Sequence, residues 1–264
     1  MPVIGFVGTG NMGGALARAA AKDKENSLLL ANRTASKAQA LADEIGGSVT
    51  DNAGVIRDAD YIFIGVKPQM LHGLAAACAD EFKKRGDGFV IVSMAAGSSI
   101  ELIQSLFGSY PVIRIMPNTP AAIGLGMILY ACSKEVTEAQ EQAFLKAMSG
   151  AGRFLKIEEK LIDAGSAVSG CGPAFADLFI EALADGGVAC GLPRKQAMEM
   201  AAQMLLGSAA LVLESGKHPG QLKDEVCSPG GSTIQGVRKL EEKGFRSAVF
   251  EAVVAAYEKN KSLV

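Results

Sequence analysis

The chain begins with the apolar run Val3-Ile4-Gly5-Phe6-Val7, followed without a spacer by Gly8-Thr9-Gly10-Asn11-Met12-Gly13-Gly14 and the alanine-rich Ala15-Leu16-Ala17. Gly8 permits a tight turn, Gly10 lets the backbone approach a pyrophosphate, and Gly13 lets a helix pack closely on the strand. The helix N-terminus adds free N–H groups and a partial positive charge. Glycine-rich turns are common, but one at the first strand–helix junction predicts a dinucleotide-binding site.

Strand and helix patterns alternate through the first half of the chain. Apolar runs typical of strands cover 3–7, 27–31, 60–66, 88–93 and 111–116, and segments typical of helices cover 34–45, 68–84 and 98–107. This alternation predicts an α/β fold in which parallel strands with right-handed crossovers form a doubly wound, Rossmann-type sheet. A further strand at 124–131 and a helix at 137–149 extend it, and we expect this domain to cover residues 1–157.

The second half has a different periodicity. Apolar side chains recur at helical spacing from Phe175 to Leu183, from Ala197 to Leu205 and from Phe250 to Tyr257, and no strand is predicted after residue 157. We therefore expect residues 158–264 to form an all-helical domain. Because about 100 residues of helix cannot cover such broad apolar faces internally, we expect them to bury these faces in a homodimer. The alternative is a self-contained bundle packed on the first domain.

Composition excludes several classes of protein. The chain has 264 residues, of which 49% are hydrophobic and 20% charged, and its net charge of −2 does not favour nucleic acid or an acidic membrane surface. Five scattered cysteines with no Cys-x-x-Cys pair predict reduced thiols in a cytoplasmic protein, without disulfides or a metal site. The strand that starts at residue 3 leaves no room for a signal peptide. The uncharged stretch 115–133 contains prolines and glycines that exclude a membrane-spanning helix.

The second predicted strand ends in Asn32-Arg33-Thr34, where an NAD-selective domain usually has an acid for the ribose. A guanidinium and a hydroxyl suit a 2′-phosphate instead. This favours NADP(H) over NAD(H), although Arg33 as a solvated surface residue is the alternative. The next strand ends in Val66-Lys67-Pro68, and the one after it in Met94-Ala95-Ala96, whose small side chains would leave space for a nicotinamide.

A second glycine-rich helix start lies in the helical half, at Ser228-Pro229-Gly230-Gly231-Ser232-Thr233. Backbone N–H groups in such a turn are a natural anion receptor, and two such turns in one chain indicate a small carboxylate substrate. A simple glycine N-cap is the alternative. Cys171 has neither His72 nor His218 near it in sequence, so we interpret it as structural.

These motifs, taken together, resemble those of the pyrroline-5-carboxylate reductases. The resemblance runs along essentially the whole chain and includes 8–13, 66–68, 95–97, 114–120, 169–174, 184–188, 218–224 and 228–233. It implies reduction of L-1-pyrroline-5-carboxylate to L-proline, the last step of proline biosynthesis, by hydride transfer from NAD(P)H to the cyclic imine carbon. Cys171 departs from the serine expected there.

Carried over residue by residue, the resemblance assigns roles to individual positions. The cofactor-binding residues it implies are Val7, Gly8, Thr9, Gly10, Asn11, Met12, Asn32, Arg33, Asn52, Gly65, Val66, Lys67, Pro68, Met94, Ala95 and Ala96. The substrate-binding residues it implies are Glu159, Ser169, Gly230, Gly231, Ser232 and Thr233, of which Thr233 would hydrogen-bond the ring nitrogen as the catalytic group. The family also implies dimers with swapped helical domains, often assembled into a decamer.

Two other readings of the sequence remain. A 3-hydroxyacid-type dehydrogenase shares the N-terminal pattern but needs a base, commonly a lysine in the helical domain, and no lysine lies between Lys160 and Lys195. A non-catalytic NADP-binding protein would not need the turn at 228–233. Reduction of an imine that arrives protonated needs positioning and electrostatics rather than a strong general acid, and the source of the proton on nitrogen stays open.

Overall fold

The computed structural model of the chain describes residues 1–261. The chain forms two compact units. The first comprises Met1–Cys171 together with the end of the chain from Ala256, and the second comprises Gly172–Ala255.

One eight-stranded sheet organises the first unit, in the order β3-β2-β1-β4-β5-β6-β7-β8. Its strands are β1 (Val3–Val7), β2 (Ser27–Ala31), β3 (Ser48–Val49), β4 (Tyr61–Ile64), β5 (Val90–Ser93), β6 (Val112–Met116), β7 (Gly126–Cys132) and β8 (Gly152–Lys156). The order runs outward from β1 in both directions, which confirms the predicted doubly wound, Rossmann-type sheet.

The helices alternate with the strands in this unit and then continue alone. They are α1 (Asn11–Ala20), α2 (Ala35–Ile45), α3 (Asn52–Asp58), α4 (Leu71–Arg85), α5 (Ile100–Phe107), α6 (Glu138–Ala147), α7 (Ile162–Ser169), α8 (Gly172–Ala189), α9 (Arg194–Ser215), α10 (Pro219–Val226), α11 (Ser232–Glu242) and α12 (Phe245–Lys261). Within residues 1–261 no strand follows Lys156, so the predicted all-helical C-terminal region is confirmed.

The five strands predicted from apolar runs are parallel as expected, but the further strand β7 reverses direction. β6 and β7 are antiparallel, while the other neighbouring strands are parallel. Only a short connection joins them: a 3₁₀ turn over Thr119–Ile123 followed by Gly124, whose φ is +87°. A parallel crossover needs a dozen or more residues, so this connection can only reverse the chain. The sequence reading also missed β3, α3 and β8.

Apolar side chains fill both faces of the sheet, because successive residues of a strand point to opposite sides. Phe6 and Phe63 lie on one face with their rings stacked 4.6 Å apart, and Ile62 and Ile64 lie on the other. This packing fixes β1 against β4. The turns that follow β1 and β4 are therefore held at a fixed distance from each other.

The second unit packs its helices through small side chains. The buried residues of its described part are Ala184 on α8 and Ala197 and Ala201 on α9. Large apolar side chains are exposed instead, among them Leu178, Leu213 and Phe250, each with about two thirds of its surface accessible. By length and composition the helical segments Glu159–Ala189 and Arg194–Ser215 would suffice to cross a membrane. Helices that are buried in an oligomer interface have the same composition.

Candidate active site

The turn between β1 and α1 is built by glycines in close contact. Gly8 has φ +100°, and its N–H donates to the carbonyl oxygen of Ala31 at the end of β2 (2.8 Å). Gly65, just after β4, donates to the carbonyl oxygen of Val7 (2.8 Å). A Cβ atom on Gly13 or on Gly65 would collide with the carbonyl oxygen of Gly8. The turn is therefore held against the ends of β2 and β4.

Gly10 differs from Gly8 and Gly13 because the space that a side chain would occupy there is empty. A Cβ atom placed there would have no atom of the described chain within 4 Å, and the residue is exposed. Gly10 is the N-cap of α1, no side chain caps the helix, and the first helical turn carries no acidic residue. The first N–H groups of a helix have no partner inside it. The start of α1 can therefore receive an anion that lies against Gly10.

Thr9 adds an unsatisfied polar atom beside this turn. The residue is only 8% exposed, and its Oγ1 has no hydrogen-bond partner in the part of the chain that the structure describes. A buried hydroxyl without a partner is unfavourable, so Thr9 Oγ1 is suited to hydrogen-bond a polar group of a ligand that binds at this turn. The uncapped helix start, the open glycine and the orphaned hydroxyl together fit the phosphates of a dinucleotide.

The residues after β2 include an unpaired cation. The Asn32 side-chain amide donates to the carbonyl oxygen of Thr34 (3.1 Å), which fixes the loop that carries Arg33. Arg33 is exposed, and within residues 1–261 its guanidinium has no ion pair or hydrogen bond. Asn52 is the first residue of α3, where Asp51 accepts the N–H of Gly54 (2.7 Å) as a cap. Arg33 is thus available for a phosphate.

Two further cofactor positions follow β4 and β5. Val66 and Lys67 lead into a 3₁₀ turn that begins at Pro68, and Met94, Ala95 and Ala96 follow β5. Since β2, β1, β4 and β5 are neighbouring parallel strands, the structure brings their carboxyl ends to one edge of the sheet. The predicted cofactor residues after these four strands therefore lie along that edge, which in open α/β sheets is where ligands bind.

The predicted substrate residues of the first unit are engaged by the protein itself. Glu159 Oε1 accepts the N–H of Ile100 (2.7 Å) and forms an ion pair with Arg114 (3.1 Å). The Ser169 hydroxyl donates to the carbonyl oxygen of Gly165 (3.0 Å). The sequence reading overlooked Arg114 as an individual residue, although an arginine inside an otherwise apolar strand was a usable signal.

The remaining predicted residues lie in the second unit, at the start of α11. Gly230 has φ +69°, and Gly231, the N-cap, donates its N–H to the carbonyl oxygen of Ser228 (3.0 Å). No side chain caps α11, and its first turn has no acid. Ser232 and Thr233 are exposed at the helix start. This is a second uncapped helix N-terminus with hydroxyl groups beside it, suited to a carboxylate.

Comparison with known protein families gives two matches. Residues 159–263 match the family model described as pyrroline-5-carboxylate reductase dimerisation. Residues 3–97 match the model described as NADP oxidoreductase coenzyme F420-dependent. The two matched regions contain, respectively, the helices with exposed apolar faces and the glycine turn.

Individual relatives match over nearly the whole chain. A pyrroline-5-carboxylate reductase from Escherichia coli is 40% identical over 98% of this chain and 97% of its own. One from Synechocystis sp. is 45% identical over 81% of this chain and 78% of its own. The solved structure of a Plasmodium falciparum pyrroline carboxylate reductase with NADP bound superimposes with a TM-score of 0.87 at 31% identity, covering 99% of this chain and 97% of that one.

Proposed function

The chain belongs to the pyrroline-5-carboxylate reductase family, and we propose that it reduces L-1-pyrroline-5-carboxylate to L-proline with NADPH. The observation that carries this proposal is the pair of uncapped helix starts, each preceded by a glycine turn. The start of α1 suits the pyrophosphate of a dinucleotide, and the start of α11 suits the carboxylate of a small substrate. A protein that only bound NADP would have no use for the second.

The cofactor half of the site needs little beyond binding and orientation. The bound dinucleotide supplies the hydride, and the protein supplies its placement. The turn from Val7 to Met12 and the start of α1 hold the phosphates, while Asn32, Arg33 and Asn52 border the adenosine end. Gly65 to Pro68 and Met94 to Ala96 border the nicotinamide, where small side chains leave room for the substrate ring.

The substrate half orients the imine. We assign the N–H groups around Gly231 and Ser232, with Gly230 permitting the turn, to the substrate carboxylate, and the Thr233 hydroxyl to the ring nitrogen. Glu159 and Ser169 belong to the wall near that ring. The reaction adds a hydride to the imine carbon and leaves the nitrogen protonated, so an imine that binds as the cation needs no strong acid from the protein.

The proposal extends to assembly and location. We propose that the region from residue 158 onward serves dimerisation and substrate binding and that residues 1–157 bind the dinucleotide, although the compact units of the fold divide later, after Cys171. The apolar faces of α8, α9 and α12 support a dimer through the helical domains, and we propose that dimers assemble into a decamer. Reduced cysteines and the biosynthetic substrate support a cytoplasmic enzyme that binds neither nucleic acid nor membranes.

A spectrophotometric assay tests the function directly. The native protein should oxidise NADPH when pyrroline-5-carboxylate is added, and it should do so faster than with NADH. The matched control replaces the imine with 3-hydroxy acids and NADP⁺, which tests the dehydrogenase alternative. Turnover of a 3-hydroxy acid, or no turnover of the imine with either cofactor, would overturn the proposal.

A further inference from the structure

Arg114 is a charged residue in the middle of the sheet. It lies on β6 between Ile113 and Ile115, and only 6% of its side chain is exposed. Its guanidinium reaches two carboxylates: Nη1 lies 3.1 Å from Glu159 Oε1, and Nη2 lies 3.1 Å from Asp163 Oδ1. Ion pairing is what makes a buried cation tolerable, because an unpaired charge in the protein interior is strongly destabilising.

Glu159 connects this arginine to the loop that follows β5. The oxygen that faces Arg114 also accepts the N–H of Ile100 (2.7 Å). Ile100 is the first residue of α5, and Ser99 caps that helix by accepting the N–H of Leu102 (3.1 Å). A carboxylate at a helix N-terminus also interacts favourably with the helix dipole. The far end of the loop 94–99 is therefore anchored to Arg114 through Glu159.

The near end of the same loop is anchored by the sheet. Ser93, the last residue of β5, pairs in register with Arg114 on β6. The Ser93 hydroxyl oxygen accepts the N–H of Ala95 (3.4 Å), and Ala95 is buried. Both ends of the loop that carries Met94, Ala95 and Ala96 are thus fixed relative to the backbone or side chain of Arg114.

Stability alone does not explain this arrangement. A buried ion pair is often no more stabilising than well-packed apolar residues of similar volume, because removing the charges from water is costly. An arginine that bridges two carboxylates does, however, fix their geometry, since its planar donors are rigidly oriented. What the network supplies is a defined position for Glu159 and, through it, for the start of α5.

We propose that Arg114 is a positioning residue for hydride transfer, which acts through Glu159 to hold the loop 94–99 against the nicotinamide. The inference rests on the proposed function and assigns the Glu159 carboxylate a role in fixing the cofactor side of the site. The inference predicts that binding of the nicotinamide end of the cofactor depends on the ion-pair network of Arg114, Glu159 and Asp163, whereas binding of the adenosine end does not.

Four variants test the network. Glu159→Ala removes both the acceptor for Ile100 and a partner of Arg114. Glu159→Gln keeps an acceptor oxygen for Ile100 but loses the charge. Asp163→Asn is the matched control, because it weakens the other ion pair of Arg114 and leaves the Glu159–Ile100 hydrogen bond in place. Arg114→Lys keeps a cation that cannot span two carboxylates in the same geometry.

Hydrogen exchange on the free protein gives a readout that needs no activity. Peptides covering 94–100 should exchange faster in Glu159→Ala and Arg114→Lys than in the native protein, while Asp163→Asn should resemble the native protein. Equal exchange of this segment in the native protein and in Glu159→Ala would overturn the inference. If Glu159→Ala does not fold, Arg114→Lys answers the same question, because it disturbs the position of Glu159 without removing its carboxylate.

Ligand binding and kinetics give the second readout. In Glu159→Ala, we expect the affinity for NADPH to fall about tenfold, the loss expected from one charged hydrogen bond. Affinity for adenosine 2′,5′-bisphosphate, which lacks the nicotinamide half, should stay within about twofold of the native value. The value of kcat should fall by a larger factor than the KM for the imine rises, since Glu159 also borders the substrate ring in the proposed function.

The opposite kinetic pattern, a higher imine KM with unchanged NADPH affinity, would overturn the inference and identify Glu159 as a direct substrate contact only. Failure of the proposed function is distinguishable, because it would appear as lack of imine turnover by the native protein. The exchange comparison does not depend on that result.

Discussion

The carbonyl oxygen of Gly8 occupies the space that a Cβ atom on Gly13 would need. Gly10, which lies between them in the same turn, has no described atom of the chain within 4 Å of such a position. Gly8 and Gly13 therefore serve the packing of α1 on β1, whereas Gly10 keeps open a space that the protein does not fill. The two requirements are separable by mutation.

Alanine at Gly10 should weaken cofactor binding without unfolding the protein. Its φ is −69°, which any residue adopts, so the melting temperature should stay near that of the native protein. The added methyl group stands where a phosphate would approach, so we expect NADPH affinity to fall about tenfold or more. Calorimetric titration and thermal unfolding measure the two effects.

Gly13→Ala is the contrasting variant, since its methyl group would displace the Gly8 backbone. We expect a loss of about 1–3 kcal/mol in the free energy of unfolding together with lost binding. Gly73→Ala, at an open position on α4, is the control and should leave NADPH affinity unchanged. Equal melting temperatures for Gly10→Ala and Gly13→Ala would contradict the division of roles.

Arg33 should determine the preference for NADPH. Its side chain is exposed and has no partner in the described part of the chain. The segment Asn32-Arg33-Thr34 after β2 contains no acidic residue that would favour the ribose of NADH. In Arg33→Ala, the KM for NADPH should rise about 10- to 100-fold, because a hydrogen bond to a charged group contributes about 1.5–3 kcal/mol. The KM for NADH should change little. Steady-state kinetics with both cofactors measure the ratio.

Arg57→Ala is the matched control for loss of a surface arginine. Arg57 is exposed and forms an ion pair with Asp58 (2.9 Å) outside the predicted site. It should leave both Michaelis constants near the native values. If Arg33→Ala raised the KM for NADH as much as that for NADPH, Arg33 would not be the residue that binds the 2′-phosphate.

The sequence predicted most of the sheet because its strands are buried on both faces and read as apolar runs. It missed β3 because Ser48–Val49 is two residues long and exposed, too short to show any periodicity. It missed β8 because this edge strand, Gly152–Lys156, is only partly buried and carries charges. The antiparallel β7 depends on the length of a turn rather than on the composition of the strand.

The candidate site could be predicted where it follows from strand ends. Cofactor residues after β1, β2, β4 and β5 meet because parallel strands share an edge, which is a rule of topology. The network around Arg114 does not follow any local rule. Its partners Glu159 and Asp163 lie 45 and 49 residues away in sequence, so only the folded chain shows that one arginine contacts both.

The exposed apolar helices should make the folded protein an obligate oligomer. Light scattering at micromolar concentration should report twice the monomer mass or a multiple of it. Leu213→Glu on α9, at a side chain 69% exposed, should weaken association, because it places a charge where an apolar partner surface is expected. Leu102→Glu on α5 is the control and should leave the mass unchanged. A well-folded native monomer would refute this prediction.

Tyr61 should make the protein less stable at alkaline pH. Burial, with a smaller contribution from Asp60, raises the pKa of Tyr61 from 10.0 to about 12. Between these values the folded state keeps a proton that the unfolded chain has lost, so the free energy of unfolding falls as pH rises. The full stabilisation is present below pH 10 and is lost as pH approaches 12.

Tyr61→Phe should separate this effect from the hydrogen bond that Tyr61 donates to the Gln140 carbonyl oxygen (2.7 Å). At neutral pH the variant should lose about 1 kcal/mol, and its decline with rising pH should be shallower than that of the native protein. Chemical denaturation at neutral pH and near pH 11 measures the free energy of unfolding of each protein. If this free energy fell equally with pH in the native protein and in Tyr61→Phe, the proposed titration of Tyr61 would be excluded.

Thr233 should assist hydride transfer by holding the imine nitrogen, without supplying an obligatory proton. Its hydroxyl stands in the first turn of α11, just beyond the N–H groups assigned to the substrate carboxylate. Thr233→Ala should lower kcat by about one to two decades, because one hydrogen bond contributes about 1–3 kcal/mol and about 1.4 kcal/mol is tenfold in rate. Thr233→Ser should keep most activity, and Ser232→Ala should change little, since Ser232 is expected to bind through its backbone. NADPH affinity should be unchanged in all three. An unchanged rate in Thr233→Ala would remove this hydroxyl from the site, whereas complete loss would make it an essential acid.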